Sequence, residues 1–500
     1  MHSTCVVWFR RDLRLQDNPA LTHALNSSAV VIPLYIWHPE EDASISDRPM
    51  NRNLTWLTKE LVEDLSGQIA RKGSFLYVVQ ATKSYTEVLL EMSKTHGVDL
   101  VCYNRISEPA WEKQDADMAK VLLAHGVSCA AFDADHLYEP TDIVDKKGKP
   151  YSNWLRYLYH VKNMMNYEVA FPLPTPLRLP RTCAAAEDNS HRRVEWFKTK
   201  DDKDIANTLE QTWRKTHKQL INSMWRERVF YFGPYLYLGA VSVRTMWYSL
   251  AQSSEMAVVR SRAWMDELHK RDYVKYLAYH GYERRKEMPK LNDFKSMALR
   301  AWQLGITGVP IVDAGIRQLN AVGWVQREMR NVLAHFLVGC MGVPSVYGIR
   351  YLMETMIDPD RIAAEVEWDI VKENPICDLE VLSRYAKSLD QGGYVRRWLP
   401  VLSRATVADI QSPWNASKYS LDSCGVELGQ NFPRSIMQPR HDQRRVQSHE
   451  VNAYMSSKDV MLHDDNDNTG RGLSGADVLD PNPLTFNETV DKQRRCFFCF

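Results

Sequence analysis

The chain has 500 residues, which is enough for two or three domains with large hydrophobic cores. Its 44% apolar and 25% charged residues are typical of a globular protein, and no apolar run reaches the length of a membrane span. The formal net charge of +1 excludes a global attraction to nucleic acid, so any DNA contact needs a local basic patch.

The cysteines and the position of the first predicted strand bear on the cellular compartment of the protein. Nine cysteines are scattered without the spacing of a disulfide framework, which indicates reduced thiols inside a cell. The first predicted strand starts at Cys5 and leaves no room for a targeting peptide. We therefore expect a cytoplasmic or nuclear protein without a membrane anchor.

Residues 1–132 alternate short apolar runs with amphipathic stretches. Five runs predict strands: CVVWF, AVVIPLYIW, FLYVV, VDLVCY and CAAF. The clearest helical patterns between them cover 51–71 and 109–125. Because strands that alternate with helices form parallel sheets covered on both faces, this segment is predicted to be an α/β domain. The first loop, RRDLRLQDN, contains no glycine, so the dinucleotide-binding fingerprint is absent.

Two segments outside the predicted domains have their own composition. Residues 133–205 contain the turn KKGKPY and the proline-spaced run AFPLPTPLRLP, which predict a connector. Residues 441–500 are polar with little to bury, which predicts a disordered tail. The CxxC at its end lacks further ligands at zinc spacing, so no metal site is predicted there.

Strand signals fade in 206–440, where successive helical patterns predict an all-α domain. At its centre Pro310 opens one helix, Gly323 ends it, and a second helix follows. Arg327 and Arg330 lie three residues apart and share a side of this second helix. If that side is buried, the two guanidinium groups need acidic partners or an anionic ligand. The alternative is a core helix whose two arginines extend to the solvent.

Three stretches in this order resemble the photolyase/cryptochrome family: WFRRDLRLQDNPAL, TGVPIVDAGIRQLNAVGW followed by Arg330, and GGYVRRWLPVL. DADHLYEP and GVELGQNFP resemble the plant-type cryptochromes in particular. The resemblance implies an α/β parallel-sheet N-terminal domain, a long connector and an all-α C-terminal domain that binds FAD. It also implies that the α/β domain can carry an antenna chromophore. The Asn-Glu pair that holds folate in some members falls on Ala110 and Trp111, which argues against a folate antenna.

For FAD, the resemblance implies that Arg330 pairs with Asp358 beside the isoalloxazine ring and that Asp360 is a second flavin-facing acid. The position that faces flavin N5 matches Ala364, which can neither donate nor relay a proton. Further positions that line the cofactor match Trp264, Glu267 and Arg271, although an ordinary surface helix would also explain these three.

The phosphate loop of the family departs from its pattern here. It appears as VFYFGP, so Val229, Phe230 and Gly233 replace three hydroxyl residues. A hydrogen bond to a charged group is worth roughly 1.5–3 kcal/mol. The loss of two or three such bonds predicts FAD affinity weakened by ~10² or more. Arg228, just before the loop, could supply replacement charge.

Positions that bind DNA lesions in the family also differ. The lesion-stacking tryptophan of dimer photolyases matches Lys270, and a second aromatic matches Ile370. Since stacking contributes about 1–3 kcal/mol per base, recognition of a flipped dimer is predicted to be impaired. The histidine pair of (6-4) photolyases falls on Arg327 and Asn331, which argues against that activity. A DNA contact remains open at the basic run of Arg284 and Arg285, for which the alternative is a solvated charged face.

The electron-transfer chain of the family is only partly matched. Trp368 matches the tryptophan nearest the flavin, and we assign it a role in electron transfer by resemblance. The next two members of the chain match Ser345 and Asn292, which cannot carry an electron. Tyr347 and Tyr351 are the alternatives for a substituted step.

Three functions follow from these observations. The first is a cryptochrome-like flavoprotein, a blue-light-responsive sensor or regulator that signals to a protein partner through its tail. The second is an FAD-dependent deoxyribodipyrimidine photolyase that acts in light-driven DNA repair. The third is a scaffold without flavin. The missing lesion aromatics place the first above the second, and the retained Arg330, Asp358 and Asp360 place both above the third.

Overall fold

A computed structural model gives the fold of the chain. It describes residues 2–47, 49–164, 169–180, 194, 209, 232–251, 258–282, 287–375 and 392–437, with backbone alone for 164 and 258–263. Several predictions fall outside these ranges: Arg228, Val229 and Phe230 of the phosphate loop, Arg284 and Arg285 of the basic run, and the tail 441–500. The chain divides into two compact units, and their described parts lie within 2–282 and, apart from residue 209, within 287–437.

The first unit is built on a five-stranded parallel sheet, as the sequence pattern predicts. The strand order is β3-β2-β1-β4-β5, so the central strand β1 pairs with both β2 and β4. β1 is almost wholly buried, which explains its continuous apolar run. The strands are β1 (His2–Phe9), β2 (Ser28–Trp37), β3 (Tyr77–Gln80), β4 (Leu100–Asn104) and β5 (Ser128–Phe132).

Helices connect the strands of the sheet and begin at side chains that cap them. Asn18, Asn51 and Ser84 each accept a hydrogen bond from a backbone N–H of the first turn, which satisfies a donor that the helix leaves free. The two clearest helices of the sequence analysis are confirmed within two residues. The helices are α1 (Pro19–Ser27), α2 (Pro39–Ile45), α3 (Arg52–Arg71), α4 (Tyr85–His96) and α5 (Pro109–Ala124).

The rest of the first unit contains short helices and one long one. A 3₁₀ turn covers Pro140–Asp142 and a π-helix covers His160–Met164. The α-helices are α6 (Trp154–Tyr159), α7 (Gly233–Tyr237), α8 (Val243–Ala251) and α9 (Val258–Tyr279). Gly239, after α7, has a φ of 65°, and a Cβ there would lie 2.1 Å from the carbonyl oxygen of Arg11, so glycine is required.

The second unit is helical in its described residues, as predicted for this part of the chain. Pro310 opens α11, and Gly323 ends it in the left-handed conformation with a φ of 69°. The helices are α10 (Asp293–Leu304), α11 (Pro310–Val322), α12 (Arg327–Ala334), α13 (Ser345–Thr355), α14 (Arg361–Glu373), α15 (Gly393–Trp398), α16 (Val407–Gln411) and α17 (Lys418–Cys424). A π-helix, His335–Cys340, continues α12.

A close approach between α13 and α14 fixes the core of the second unit. A Cβ on Gly348 would lie 1.9 Å from the ring of Trp368, so only glycine lets the two helices meet there. Trp368 is 1% exposed and lies in the same core as Trp302 and Phe336. None of the described helices is long and apolar enough to cross a membrane.

Candidate functional site

The centre of the candidate site is a set of charged side chains on α12 and α14 and in the loop before α14. We call Arg327, Arg330, Asp358 and Glu367 the arginine cluster. Arg330 donates from Nε and Nη2 to the two carboxylate oxygens of Glu367, each at 3.1 Å. The Nε of Arg327 lies 3.1 Å from Oε1 of the same carboxylate. The hypothesis that two arginines share a side that needs acidic partners is therefore correct, and Glu367 supplies the carboxylate.

Burial and charge set the protonation of this pair. Burial alone would raise the pKa of Glu367, but the positive charges of Arg330 and Arg327 outweigh it and lower that pKa. Burial would also lower the pKa of Arg330, and the carboxylate of Glu367 raises it well above its usual range. Both partners are therefore charged at neutral pH.

The structure gives Arg330 a different carboxylate from the one that the resemblance implies. Asp358 influences Arg330 electrostatically, whereas the ion pair and the forked hydrogen bonds go to Glu367. The physical reason is that a fork of two N–H groups binds best to a carboxylate that presents both oxygens, as Glu367 does from α14. The remaining hydrogen bond of Arg330 goes to the carbonyl oxygen of Val325, at 3.3 Å.

Asp358 is left with an unused acceptor. Its Oδ1 atom is buried and accepts no hydrogen bond from any residue that the structure describes. Burial raises the pKa of Asp358 to about 7, against the opposing effect of the Arg330 charge. A buried polar atom without a partner is rare in native proteins and is expected where a ligand supplies the missing contact.

Asp360 and Ala364 lie at the start of α14. The carboxylate of Asp360 accepts a hydrogen bond from the backbone N–H of Ala363 at 3.0 Å and so caps the helix. Ala364 is buried, with 6% of its surface exposed. Asp360 therefore caps α14 and Ala364 lies in its first turn, two and six residues after Asp358.

The rings of Trp368, Trp302 and Tyr351 form a continuous path. The ring centroids of Trp368 and Trp302 are 6.4 Å apart, and those of Trp302 and Tyr351 are 5.5 Å apart. The hydroxyl of Tyr351 lies 2.6 Å from Oδ1 of Asn320. Ser345 and Asn292, the matches to the family's electron carriers, have structural positions instead: Ser345 begins α13 and Asn292 caps α10.

Four of the predicted cofactor and DNA residues lie on α9, in the first unit. Trp264 packs edge-on against Phe232, with ring centroids 6.0 Å apart. Lys270 forms an ion pair with Glu267 at 2.7 Å. Arg271 forms an ion pair with Asp135 and donates to the carbonyl oxygens of Asp135 and Leu236.

Arg271 belongs to a second set of buried charges, which we call the loop cluster: Asp133, Asp135, His136, Arg271 and Asp272. Asp272 on α9 accepts hydrogen bonds from the backbone N–H of Leu137 and from the hydroxyl of Tyr157, both at 2.6 Å. His136 lies 2.9 Å from the carboxylate of Asp133. Burial alone would lower the pKa of His136, but the charge of Asp133 outweighs it and raises that pKa to about 9. The cluster fastens the loop after β5 to α9.

A small cavity lies at the carboxyl ends of the strands in the first unit. Its lining includes Arg10, Arg11, Tyr35, Trp37 and Trp111, and its volume is only about 50 Å³. Arg10 lies 4.7 Å from the ring centre of Trp8 and forms an ion pair with Asp115 at 2.7 Å. The indole N–H of Trp111 donates to the hydroxyl of Ser46. These side chains contact one another across the cavity and leave little room for a ligand.

Two residues of the candidate site are missing from the sequence analysis, Glu367 and Trp302. Ala364, Glu367 and Val371 are spaced by three and four residues and are all buried, so Glu367 interrupts an apolar face of α14. A carboxylate on such a face needs a cation, and this signal could have found it. Trp302 is one tryptophan among many, and nothing in the sequence alone distinguishes it.

Comparisons with known proteins agree with this fold. Residues 5–177 match the family model for DNA photolyase, and residues 264–451 match the FAD binding domain of DNA photolyase. The chain is 29% identical over 495 residues to Cryptochrome-1 of Arabidopsis thaliana, covering 90% of this chain and 70% of that protein. It is 25% identical to the deoxyribodipyrimidine photo-lyase of Agrobacterium fabrum, covering 91% of this chain and 98% of that protein.

Solved structures show the same fold. The crystal structure of a bacterial class III photolyase from Agrobacterium tumefaciens has a TM-score of 0.73 and 22% identity, covering 92% of this chain and 98% of that one. A cryptochrome from Synechocystis has a TM-score of 0.69 and 21% identity, covering 91% of this chain and 99% of that one. A parallel α/β unit that matches the DNA photolyase model and a helical region that matches its FAD binding domain define a class of flavoproteins. The chain belongs to the photolyase/cryptochrome family.

The residues of the arginine cluster fit the flavin that this family implies. The unused Oδ1 of Asp358 is a buried acceptor that a flavin ring could satisfy. The adjacent Arg330 and Arg327 keep positive charge beside it. Among the described residues, the cluster therefore leaves one buried carboxylate oxygen for a hydrogen-bond donor of a ligand.

Proposed function

We propose that this protein is a blue-light-responsive sensor or regulator that binds FAD in its helical unit. The observation that carries the proposal is the buried Oδ1 of Asp358, which accepts no hydrogen bond from a described residue and lies near the Arg330–Glu367 pair. Arg327, Arg330, Asp358, Asp360 and Ala364 would line the cofactor. FAD, when bound, supplies absorption of blue light.

The first unit contributes fewer groups to this proposal. Arg271 is committed to Asp135 and two carbonyl oxygens, so its charge serves the loop cluster. Trp264 and Glu267 are the remaining candidates on α9 for contact with the cofactor. We infer no folate antenna in the 50 Å³ cavity, since ligand sites usually measure about 300–1,000 Å³.

A sensor is favoured over a repair enzyme by the residues at the two lesion positions. Lys270 is held in an ion pair with Glu267, and Ile370 is a half-buried aliphatic residue. Neither offers a ring on which a base can stack. The alternative function, deoxyribodipyrimidine photolyase, is favoured by the similarity to a photo-lyase over nearly the whole chain. DNA contact by Lys270, Arg284 and Arg285 would belong to that alternative.

We infer that Trp302 and Tyr351 replace the missing electron carriers. Their rings continue the contact path from buried Trp368 at distances of 6.4 and 5.5 Å, whereas Tyr347 donates its hydroxyl to the carbonyl oxygen of Pro289. In this role the three side chains carry an electron inward, and Tyr351 is the outermost donor. A Trp302→Phe variant should slow formation of a tyrosyl radical under illumination, measured by transient absorption, while the unfolding midpoint stays close to that of the parent.

The visible spectrum of the purified protein tests the proposal. We expect flavin bands, or their appearance on addition of FAD, and a spectral change under blue light. A protein that stays colourless with added FAD would favour the flavin-free scaffold. The signalling partner, which we place with the tail, is then sought by comparing captured proteins in light and darkness with full-length and 1–440 chains.

A repair assay separates the two flavin-dependent functions. Because Lys270 and Ile370 offer no stacking ring, we expect little light-dependent reversal of cyclobutane dimers in an oligonucleotide. Efficient repair under blue light would establish the photolyase alternative and exclude a purely sensory role.

A further inference from the structure

An open groove lies on the first unit, away from the cavity at the strand ends. Its volume is about 430 Å³, within the range of ligand-binding clefts. It is lined by Val144, Asp145, Lys146, Tyr151, Leu155, Arg156, Tyr159 and His160. None of these residues takes part in the proposed flavin site.

The walls of the groove are held by hydrogen bonds and buried side chains. On one side a turn is held by Asp145, whose carboxylate accepts the backbone N–H groups of Lys147 at 2.7 Å and Lys149 at 2.9 Å. On the other side Trp154 and Tyr157 anchor α6 in the core with 3% and 0% exposure. A groove built from an anchored helix and a closed turn is preformed, so a ligand need not order it.

The floor of the groove exposes apolar and aromatic surface. Leu155 and Tyr159 are four residues apart on α6 and share one face. They are 61% and 62% exposed, although side chains of this size are usually covered. Tyr151 lies beside them, with its hydroxyl 3.1 Å from Nδ1 of His160.

The rim of the groove is basic. Lys146 and Arg156 line the groove with the single acid Asp145, and Lys147, Lys149 and Lys162 follow in the same segment, residues 144–162. Lys162 is paired with Asp266, and Asp145 interacts electrostatically with Lys147 and Lys149, whereas no ion pair of Lys146 or Arg156 is present among the described residues. A local excess of positive charge in a chain of net charge +1 selects an anionic ligand.

We propose that this groove binds single-stranded nucleic acid. Exposed rings stack on bases, and the surrounding cations contact phosphates, which is the combination that binds single strands without sequence preference. A duplex hides its base faces and could use only the cations. An acidic peptide would also leave the rings of Tyr151 and Tyr159 without planar partners. DNA and RNA share the base faces and phosphates recognised here.

The proposal is tested with the full-length protein and fluorescein-labelled oligothymidylate and oligouridylate, by fluorescence anisotropy. Tyr159→Ala should weaken binding about 5- to 150-fold, corresponding to the loss of one stacked base. Tyr159→Phe should keep the affinity of the parent. The matched control is Tyr419→Ala, which removes a tyrosine that is 84% exposed in the other unit and should change nothing.

Salt and competitors complete the test. With three or four phosphates neutralised, affinity should fall about 20- to 50-fold between 50 and 200 mM salt, at the slope of roughly −0.7 per phosphate for single strands. Lys146→Gln combined with Lys147→Gln should flatten that slope. Unchanged binding in both the tyrosine and the lysine variants would overturn the proposal. So would duplex binding as tight as single-strand binding, or binding of polyglutamate without binding of either oligonucleotide.

Discussion

The loop cluster and the arginine cluster both bury several charges, but they differ in how their carboxylates are satisfied. In the loop cluster Asp133, Asp135 and Asp272 all have cationic or hydrogen-bonding partners within the same unit. In the arginine cluster Glu367 is fully engaged, whereas Oδ1 of Asp358 has no hydrogen bond within the described chain. The carboxylates of the first cluster are therefore engaged, although Nε2 of its His136 has no hydrogen-bond partner among the described residues, and the second cluster has one carboxylate acceptor open.

This difference separates structural from ligand-binding charges. A buried carboxylate whose oxygens are all bonded holds two segments of chain together and gains nothing from a ligand. A buried carboxylate oxygen without a partner is stabilised when a ligand supplies a donor. Two residues that match cofactor positions thus differ in their contacts: Arg271 is paired with Asp135, whereas Oδ1 of Asp358 has no hydrogen bond from a described residue.

The largest effect is expected from Glu367→Ala. This change removes the carboxylate that binds both Arg330 and Arg327, so two largely buried cations lose their partner. We expect the free energy of unfolding to fall by about 3 kcal/mol, measured by urea denaturation. Glu354→Ala is the matched control, because its pair with Arg350 at 3.2 Å is exposed and should contribute less than about 0.5 kcal/mol. Equal stability of the two variants would show that the arginine cluster is not held by Glu367.

The next effect concerns His136 in the loop cluster. Its pKa of about 9 lies above the unfolded value of 6.5, so its stabilising contribution is complete below pH 6.5 and is lost as pH rises through 9. His136→Asn should remove this contribution, lowering stability by about 2 kcal/mol at pH 6 and by much less at pH 10. Thermal unfolding of both proteins across this range measures it. A difference that is constant with pH would mean that His136 is uncharged in the folded protein.

A smaller effect, of opposite sign, is expected from Asp358→Asn. The pKa of Asp358 is raised from 3.8 to about 7, so the folded protein loses stability as pH rises between these values. The amide cannot ionise, so the variant should match the parent near pH 4 and exceed it by on the order of 1–2 kcal/mol at pH 8. Its flavin content should fall even so, because the amide no longer offers a carboxylate. Lower stability together with unchanged flavin would make Asp358 a structural residue.

The smallest effect is expected from Glu267→Gln on α9. Its pair with Lys270 is largely exposed, so the change in unfolding free energy should stay below about 0.5 kcal/mol. Flavin content then reports directly on the prediction that Glu267 lines the cofactor. A loss of flavin at unchanged stability supports that role, and unchanged flavin removes Glu267 from the site.

Much of the fold was predictable because its signals are local. The apolar runs of the five strands, the capping residues of α1, α3 and α4, and Gly323 at the end of α11 each depend on a few neighbouring residues. The family resemblance added the positions of Arg330, Asp358, Asp360 and Trp368. Each of these is identified by a short motif that does not require knowledge of its contacts.

Only the tertiary structure decided which charges meet. Glu367 and Arg330 are 37 residues apart, and their pairing depends on how α12 and α14 face each other. Arg271 is 136 residues from Asp135, and the bond between them groups α9 with the α/β unit. Sequence determines that a buried cation must be paired, because desolvation is costly wherever it occurs. It does not determine which carboxylate is the partner, because several carboxylates could satisfy the same rule. The packing of the helices decides which of them lies close to the cation.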